Sequence, residues 1–195
     1  MNPTKQSFYI TTTIPYVNAD PHIGFALELV QSDAIARYKR LVGQDVFFST
    51  GTDEHGQKIW EASQKQGKGV QEYVDYYAKI YQTLGKELNI SNDSFIRTTD
   101  ENHIKAAQEF WRICDAKGDI YKKKYKGLYC VGCEKFITEK DLINGKCEFH
   151  PTLTPEIVEE ENYFFKLSNY KERLLEYLNN PKSILPEWRR QEAIE

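Results

Sequence analysis

Methionine is almost absent from this sequence, with Met1 alone among 195 residues, and cysteine is sparse, with four in all. No apolar run reaches the ~18 residues that a membrane-spanning helix needs. Neither sign of charge dominates: 26 basic side chains stand against 29 acidic ones, a formal net charge of −3. Each absence excludes a class. The near balance argues against a protein that holds nucleic acid mainly by bulk positive charge. Scarce cysteine excludes a small disulfide scaffold. An apolar share of 40%, with no low-complexity segment, excludes a disordered chain and a collagen-like one. Residues 1–16 lack a cationic start followed by a long apolar block, so the chain reads as folded from about Ser7 rather than as a signal peptide. The expected setting is a reducing cytosol, with no membrane partner.

What is present supports a core in one large domain or two small ones. Residues 7–13 are β-branched and aromatic and read as a strand. Asp20 as N-cap and Pro21 as first helical residue open a helix that runs to Gly43. Residues 45–49 form a second strand, 50–53 a turn, and 54–66 a helix stopped by Gly67. Val70, Tyr73, Val74, Tyr77, Ile80, Tyr81, Leu84 and Leu88 recur at helical spacing, which makes their aromatic stripe core packing. A third strand covers 94–98. Asp100 then caps a helix that buries Ile104, Ala107, Phe110, Trp111 and Cys114. Strand and helix alternate three times, the pattern of a parallel α/β sheet. The texture changes past Gly118. Residues 121–129 read as a basic, aromatic hairpin, 162–167 as a strand, and 169–179 and 186–195 as helices. The expected domains are 1–117 and 118–195. The run Glu159-Glu160-Glu161 reads as a solvated patch.

Three constellations carry chemistry. The first strand leads through a loop to Pro21-His22-Ile23-Gly24. In an open parallel sheet, ligands gather at the carboxyl ends of the strands, and a helix start offers N–H groups to phosphate. His22 can donate to a phosphate oxygen or merely cap the helix. Gly24 lets a flat base or ribose approach the backbone. After the second strand comes Gly51-Thr52-Asp53-Glu54-His55-Gly56. Asp53 there can hold an ammonium group or a magnesium ion, or be a plain N-cap. Third, Cys130 and Cys133, then Cys147 and His150, are two chelating pairs with thirteen residues between them. Three thiolates and an imidazole suit structural zinc. A redox dithiol at Cys130 and Cys133 explains neither Cys147 nor His150, and a nucleic-acid-binding zinc ribbon shares the spacing.

Beyond composition and spacing, the sequence resembles the N-terminal part of bacterial methionyl-tRNA synthetases, which are class I aminoacyl-tRNA synthetases. The resemblance rests on Ile14-Pro15-Tyr16-Val17-Asn18, Pro21-His22-Ile23-Gly24, the block from Gly51 to Gly56, Phe95-Ile96-Arg97-Thr98-Thr99, residues 127–133 and Asn162-Tyr163-Phe164-Phe165. It implies a fold: the first half of a Rossmann-like catalytic domain with a zinc-knuckle connective insertion. It implies a reaction, in which methionine and ATP give methionyl-adenylate and methionine then passes to its tRNA. It implies roles as well. His22 is catalytic and contacts ATP with Gly24, while Glu28 reaches towards the adenosine. Ile14 and Tyr16 line the methionine pocket, and Asp53 pairs with the ammonium. Zn2+ is held by Cys130, Cys133, Cys147 and His150, and Mg2+ accompanies ATP. A non-catalytic tRNA-binding knuckle carrying Lys122-Lys123-Lys124-Tyr125-Lys126, or another nucleotidyltransferase, are the alternative readings.

Two departures stand out. The family signature His-Ile-Gly-His has its second histidine where this chain has Phe25. One phosphate-facing donor is therefore expected to be missing, with slower adenylation that Phe25→His would relieve. The family's Lys-Met-Ser-Lys-Ser loop also has no counterpart. The expectation is a partial chain that does not complete adenylation alone and works with the C-terminal part of the enzyme.

Overall fold

The structure is a computed structural model that describes residues 6–195. The reading of residues 1–16 as lacking a signal peptide rests partly on the first five, which lie outside the described residues. No described helix is long and apolar enough to cross a membrane. The chain forms two compact units, 1–108 and 109–195.

In the first unit, strands β1 (Ser7–Thr11), β2 (Asp45–Thr52) and β3 (Ser94–Arg97) form a parallel sheet with β2 central. Helix α1 (Ile23–Leu41) connects β1 to β2; α2 (Gln57–Lys65) and α3 (Val70–Glu87) connect β2 to β3. The parallel α/β expectation therefore holds. The core lies between α1, α2 and α3 and contains Val17, Phe25, Leu29, Ile59, Tyr73, Val74 and Tyr81. The aromatic stripe of α3 is core, as its spacing requires. Gly51 is needed in β2, because a Cβ there would run into the carbonyl of Ile96 on β3.

Several boundaries differ from expectation. Helix α1 starts at Ile23, with His22 rather than Asp20 as its cap. Strand β2 continues to Thr52, and α2 starts at Gln57, after Gly56 at φ 121°. Asp53 is therefore not an N-cap. Helix α4 (Glu101–Ala116) buries none of its residues, and Phe110 is 70% exposed.

The second unit is built on β4 (Ile120–Cys130), β5 (Lys135–Ile137), β6 (Leu142–Ile143), β7 (Lys146–Cys147) and β8 (Glu156–Phe165). The expected hairpin at 121–129 is instead one long strand, paired antiparallel with β8 from Ile120↔Phe165 to Tyr129↔Glu156. Alternation along β4 sets lysines against glutamates: Lys124 lies opposite Glu161 and Lys126 opposite Glu159. Lys122 Nζ reaches Glu161 at 3.0 Å. The glutamate run is one side of a cross-strand charge ladder, each exposed pair worth at most about 1 kcal/mol. Helices α5 (Lys171–Leu178) and α6 (Glu187–Ile194) close the chain.

A buried acid ties α1 to the connection between α3 and β3. Asp33 Oδ1 accepts from the amide of Ser91 at 2.7 Å and from its hydroxyl at 2.5 Å, and Oδ2 accepts from Arg37 at 2.6 Å. Burial alone would raise this carboxyl; the bonds from Ser91 and Arg37 outweigh it and hold it below its ordinary value. A depressed carboxylate contributes stability above its unfolded pKa and loses it as pH falls through the folded one. Asp33→Asn should therefore cost about 1–3 kcal/mol near neutral pH, a gap that narrows below about pH 4. Urea unfolding of both proteins across that range measures it.

Candidate functional site

The carboxyl ends of β1 and β2 bring the first two motifs together. The loop after β1 runs alongside the end of β2. The amide of Asp53 donates to the carbonyl of Pro15 at 2.8 Å, and the amide of Val17 donates to the carbonyl of Asp53 at 3.2 Å. Tyr16 and Asp53 form a parallel bridge. Two of the three residues expected around an amino acid are thus neighbours by backbone pairing, and Ile14 is two residues before Tyr16. Ile14 and Tyr16 are exposed and Asp53 is half-buried.

Tyrosines of α3 hold the same loop from the core side. Tyr73 donates its hydroxyl to the carbonyl of Asn18 at 3.1 Å; Tyr81 donates to those of Tyr16 and Ala19 at 3.5 and 3.4 Å. Burial, with Tyr77 beside it, pushes the Tyr73 phenol up to about 12, so it remains a donor.

At the start of α1, Nδ1 of His22 accepts from the amides of Gly24 at 3.1 Å and Phe25 at 3.4 Å. An Nδ1 that accepts carries no proton, so the proton of the neutral ring lies on Nε2. Capping and donation to a ligand oxygen are therefore compatible: one nitrogen caps and the other is a donor. Gly24 acquires a local reason too. A Cβ there would stand 3.0 Å from the His22 ring and crowd the cap. Glu28, one turn further on, grips the loop: its two oxygens accept from the amide and hydroxyl of Thr13 at 2.6 and 2.7 Å.

Phe25, where the family signature has its second histidine, has a structural part of its own. Its amide belongs to the capped first turn of α1, while its ring is 5% exposed and meets Tyr81 edge-on at 5.3 Å in the core. It also lines a cavity of about 200 Å3 with Leu29, Thr50 and Phe95.

Sequence reasoning missed the group beneath Asp53. Glu54 is 1% exposed and lies in a ring of donors. Arg97 reaches both its oxygens, at 2.7 and 2.8 Å, with Thr52 at 2.7 Å and Thr99 at 2.5 Å. Hydrogen bonds that Arg97 donates chiefly to Glu54, and also to Asp75, hold its guanidinium well above its ordinary pKa. Arg97 and Thr99 were visible in the strand motif, but nothing local paired them with Glu54, 43 residues earlier.

In the second unit, the four predicted ligands converge. Cys130 ends β4 and pairs with Lys135 of β5, so Cys133 lies in the intervening turn. Asn144 and Gly145, both at positive φ, make the two-residue hairpin from β6 to β7 and bring Cys147 round. His150 bridges back to Cys147. All four donor atoms lie within 4.8 Å of one another, and together they could hold one metal ion. Burial pushes the Cys147 thiol up, but bonds from His150, Cys133 and Cys130 outweigh it and hold it at about 6. Burial and contacts with Cys147 and Cys130 push Cys133 up to about 11. Gly132 makes room for the cluster, since any Cβ there would meet the His150 ring.

The class these features define is a parallel α/β unit with its site at the strand ends, accompanied by a β unit carrying a Cys3His cluster. Comparison with known proteins gives the family. Residues 8–151 match the family described as tRNA synthetases class I (M). The chain belongs to that family. It is 52% identical to methionine–tRNA ligase of Thermotoga maritima, covering 96% of this chain and 30% of that protein. It is 47% identical to the Clostridium perfringens enzyme of the same name, covering 97% and 30%. Among solved structures, Mycobacterium tuberculosis methionyl-tRNA synthetase in complex with methionyl-adenylate superposes with a TM-score of 0.89 at 45% identity, covering 97% of this chain and 38% of that one. The chain thus spans about a third of the length of these relatives.

The buried position of Phe25 yields a prediction. Phe25→His places an imidazole among apolar neighbours and should cost about 2 kcal/mol in urea unfolding, rather than add a donor at the helix start. Phe25→Leu should cost less than Phe25→His.

Proposed function

We propose that the gene product carrying these residues is a methionine–tRNA ligase, which activates methionine with ATP and passes it to its tRNA in the cytosol. The observation that carries this reading is the bridge between Tyr16 and Asp53 beside the start of α1. The bridge supports a reading in which Tyr16 and Asp53 work side by side at the strand ends, with the loop between them and α1 carrying the nucleotide-facing residues. The names of the relatives and the methionyl-adenylate in the mycobacterial enzyme support methionine as the substrate.

The chemistry follows from the groups. Asp53 pairs with the substrate ammonium and so directs the carboxylate towards ATP. Ile14 and Tyr16 contact the apolar side chain. The methionine carboxylate attacks the α-phosphorus, a P–O bond to the bridging oxygen breaks, and pyrophosphate leaves. His22 donates from Nε2 to a phosphate oxygen, and the helix start adds its partial positive charge. Gly24 keeps the backbone open to the nucleotide. Glu28 reaches the adenosine side while holding Thr13. Magnesium accompanies the phosphates. Methionine-dependent exchange of pyrophosphate into ATP tests this reading. Asp53→Asn should raise the methionine KM about tenfold or more, the worth of a charged hydrogen bond, and leave the ATP KM nearly unchanged. Wild-type protein with no methionine-dependent exchange would contradict it.

We assign the Cys3His cluster to structural zinc. A zinc tetrahedron with bonds of about 2.3 Å to sulfur and about 2.0–2.1 Å to nitrogen has edges of about 3.5–3.8 Å. Three donor separations match, 3.8 Å from Cys130 to His150, 3.5 Å from Cys133 to Cys147 and 3.8 Å from Cys147 to His150, while Cys133 and His150 are closer, at 3.2 Å. Four protein ligands leave no open position, so the ion's part is to fold the knuckle. Elemental analysis should find about one zinc per chain. Gly132→Ala, which displaces His150, and Cys130→Ser should both lower it, while Cys114→Ser should not.

A further inference from the structure

Arg97 has no role in the reaction described, yet it bonds both oxygens of Glu54, the residue next to Asp53, and also Asp75. It ends β3, and its guanidinium makes a two-pronged contact with Glu54: Nε to Oε1 at 2.7 Å and Nη2 to Oε2 at 2.8 Å. Nη2 also meets Asp75 of α3 at 2.6 Å. The Glu54 side chain has no exposure at all. With Glu54 fully buried and Arg97 21% exposed, the pair adds little net stability over apolar residues of equal volume, because desolvation of the carboxylate offsets the attraction. What a bidentate fork supplies is direction.

The direction passes to Asp53, one peptide bond away. The amide of Glu54 donates to the hydroxyl of Thr98 at 2.8 Å. The amide and carbonyl of Asp53 are held by Pro15 and Val17. With the Glu54 side chain locked as well, both peptide planes around Asp53 are fixed, and Oδ1 of Asp53 accepts from the amide of His55 at a long 3.5 Å. We propose that Arg97 is a positioning residue that acts through Glu54 to aim the Asp53 carboxylate at the ammonium group of the amino acid substrate. This rests on the methionine-activating reading above.

The test uses the gene product carrying these residues. Arg97→Lys keeps the charge and removes the fork. The double variant Arg97→Met with Glu54→Leu removes the pair and keeps the volume, so it carries the test if the lysine variant does not fold. The readouts are the KM values for methionine and ATP in pyrophosphate exchange, and inhibition by 4-(methylthio)butanoate, which lacks the ammonium. The proposal expects the methionine KM to rise about tenfold, with the ATP KM and the inhibition constant each within about twofold of wild type. An unchanged methionine KM overturns it. Equal weakening of methionine and the des-amino acid also overturns it, since that is what a purely structural role produces, as does failure of both variants to fold. Wild-type protein that activates no methionine refutes the functional reading itself and is distinguishable from all of these.

Discussion

A carboxylate shut away from water organises the first unit. Glu54 lies just past the end of the central strand, and it is satisfied only if β2, β3 and the segment after β3 come together to supply Thr52, Arg97 and Thr99. Left without those partners, a buried charge would cost several kcal/mol, so the arrangement tolerates little drift. Because Asp53 is the neighbour of Glu54 and is stitched by its backbone to the loop after β1, the same constraint extends to Tyr16 and Val17. The tyrosine hydroxyls of α3 hold that loop from below. A surface built from loop residues thereby acquires the rigidity of the sheet, which is what recognition of a small amino acid requires.

The second unit solves a different problem. Its buried apolar set is small, Cys130, Ile137 and Cys147 with Leu128, Cys133 and Leu142 against them. Four donor atoms drawn from β4, the next turn, β7 and the turn after it converge beside this set and could hold one metal ion, which would tie together what so few side chains can hold. The long pairing of β4 with β8 supplies the frame, and its lysines and glutamates face one another with opposite charge. That match explains why a strip of lysines and a run of glutamates coexist without altering the overall charge.

Much of this was legible in the sequence, and the failures share physical causes. The alternation of strand and helix predicted the parallel sheet, and the Cys and His spacing brought four ligands together, because both signals are local. Asp20 and Pro21 looked like a helix start because each suits that position alone. His22 caps instead, satisfying two amides with one ring nitrogen. The strand β4 was read as a hairpin because its partner lies some thirty residues later, and pairing at that distance leaves no local trace. The motif gave no sign that the Phe25 ring is core; Phe25 and Leu29 are four apart and share the buried face. Arg97 stood in a quoted motif with no role, since the acid it serves is remote in sequence. The stripe of α4 has helical spacing, yet it meets no cover among the described residues that would bury it.

The central claim is that the strand-end site recognises one amino acid by its ammonium and its apolar side chain together. The most direct measurement incubates the gene product with ATP and each of the twenty amino acids in turn and detects the aminoacyl-adenylate by mass spectrometry. The account predicts an adenylate with methionine and none of comparable yield with the others. An adenylate formed preferentially with a different amino acid, or with none, would contradict it.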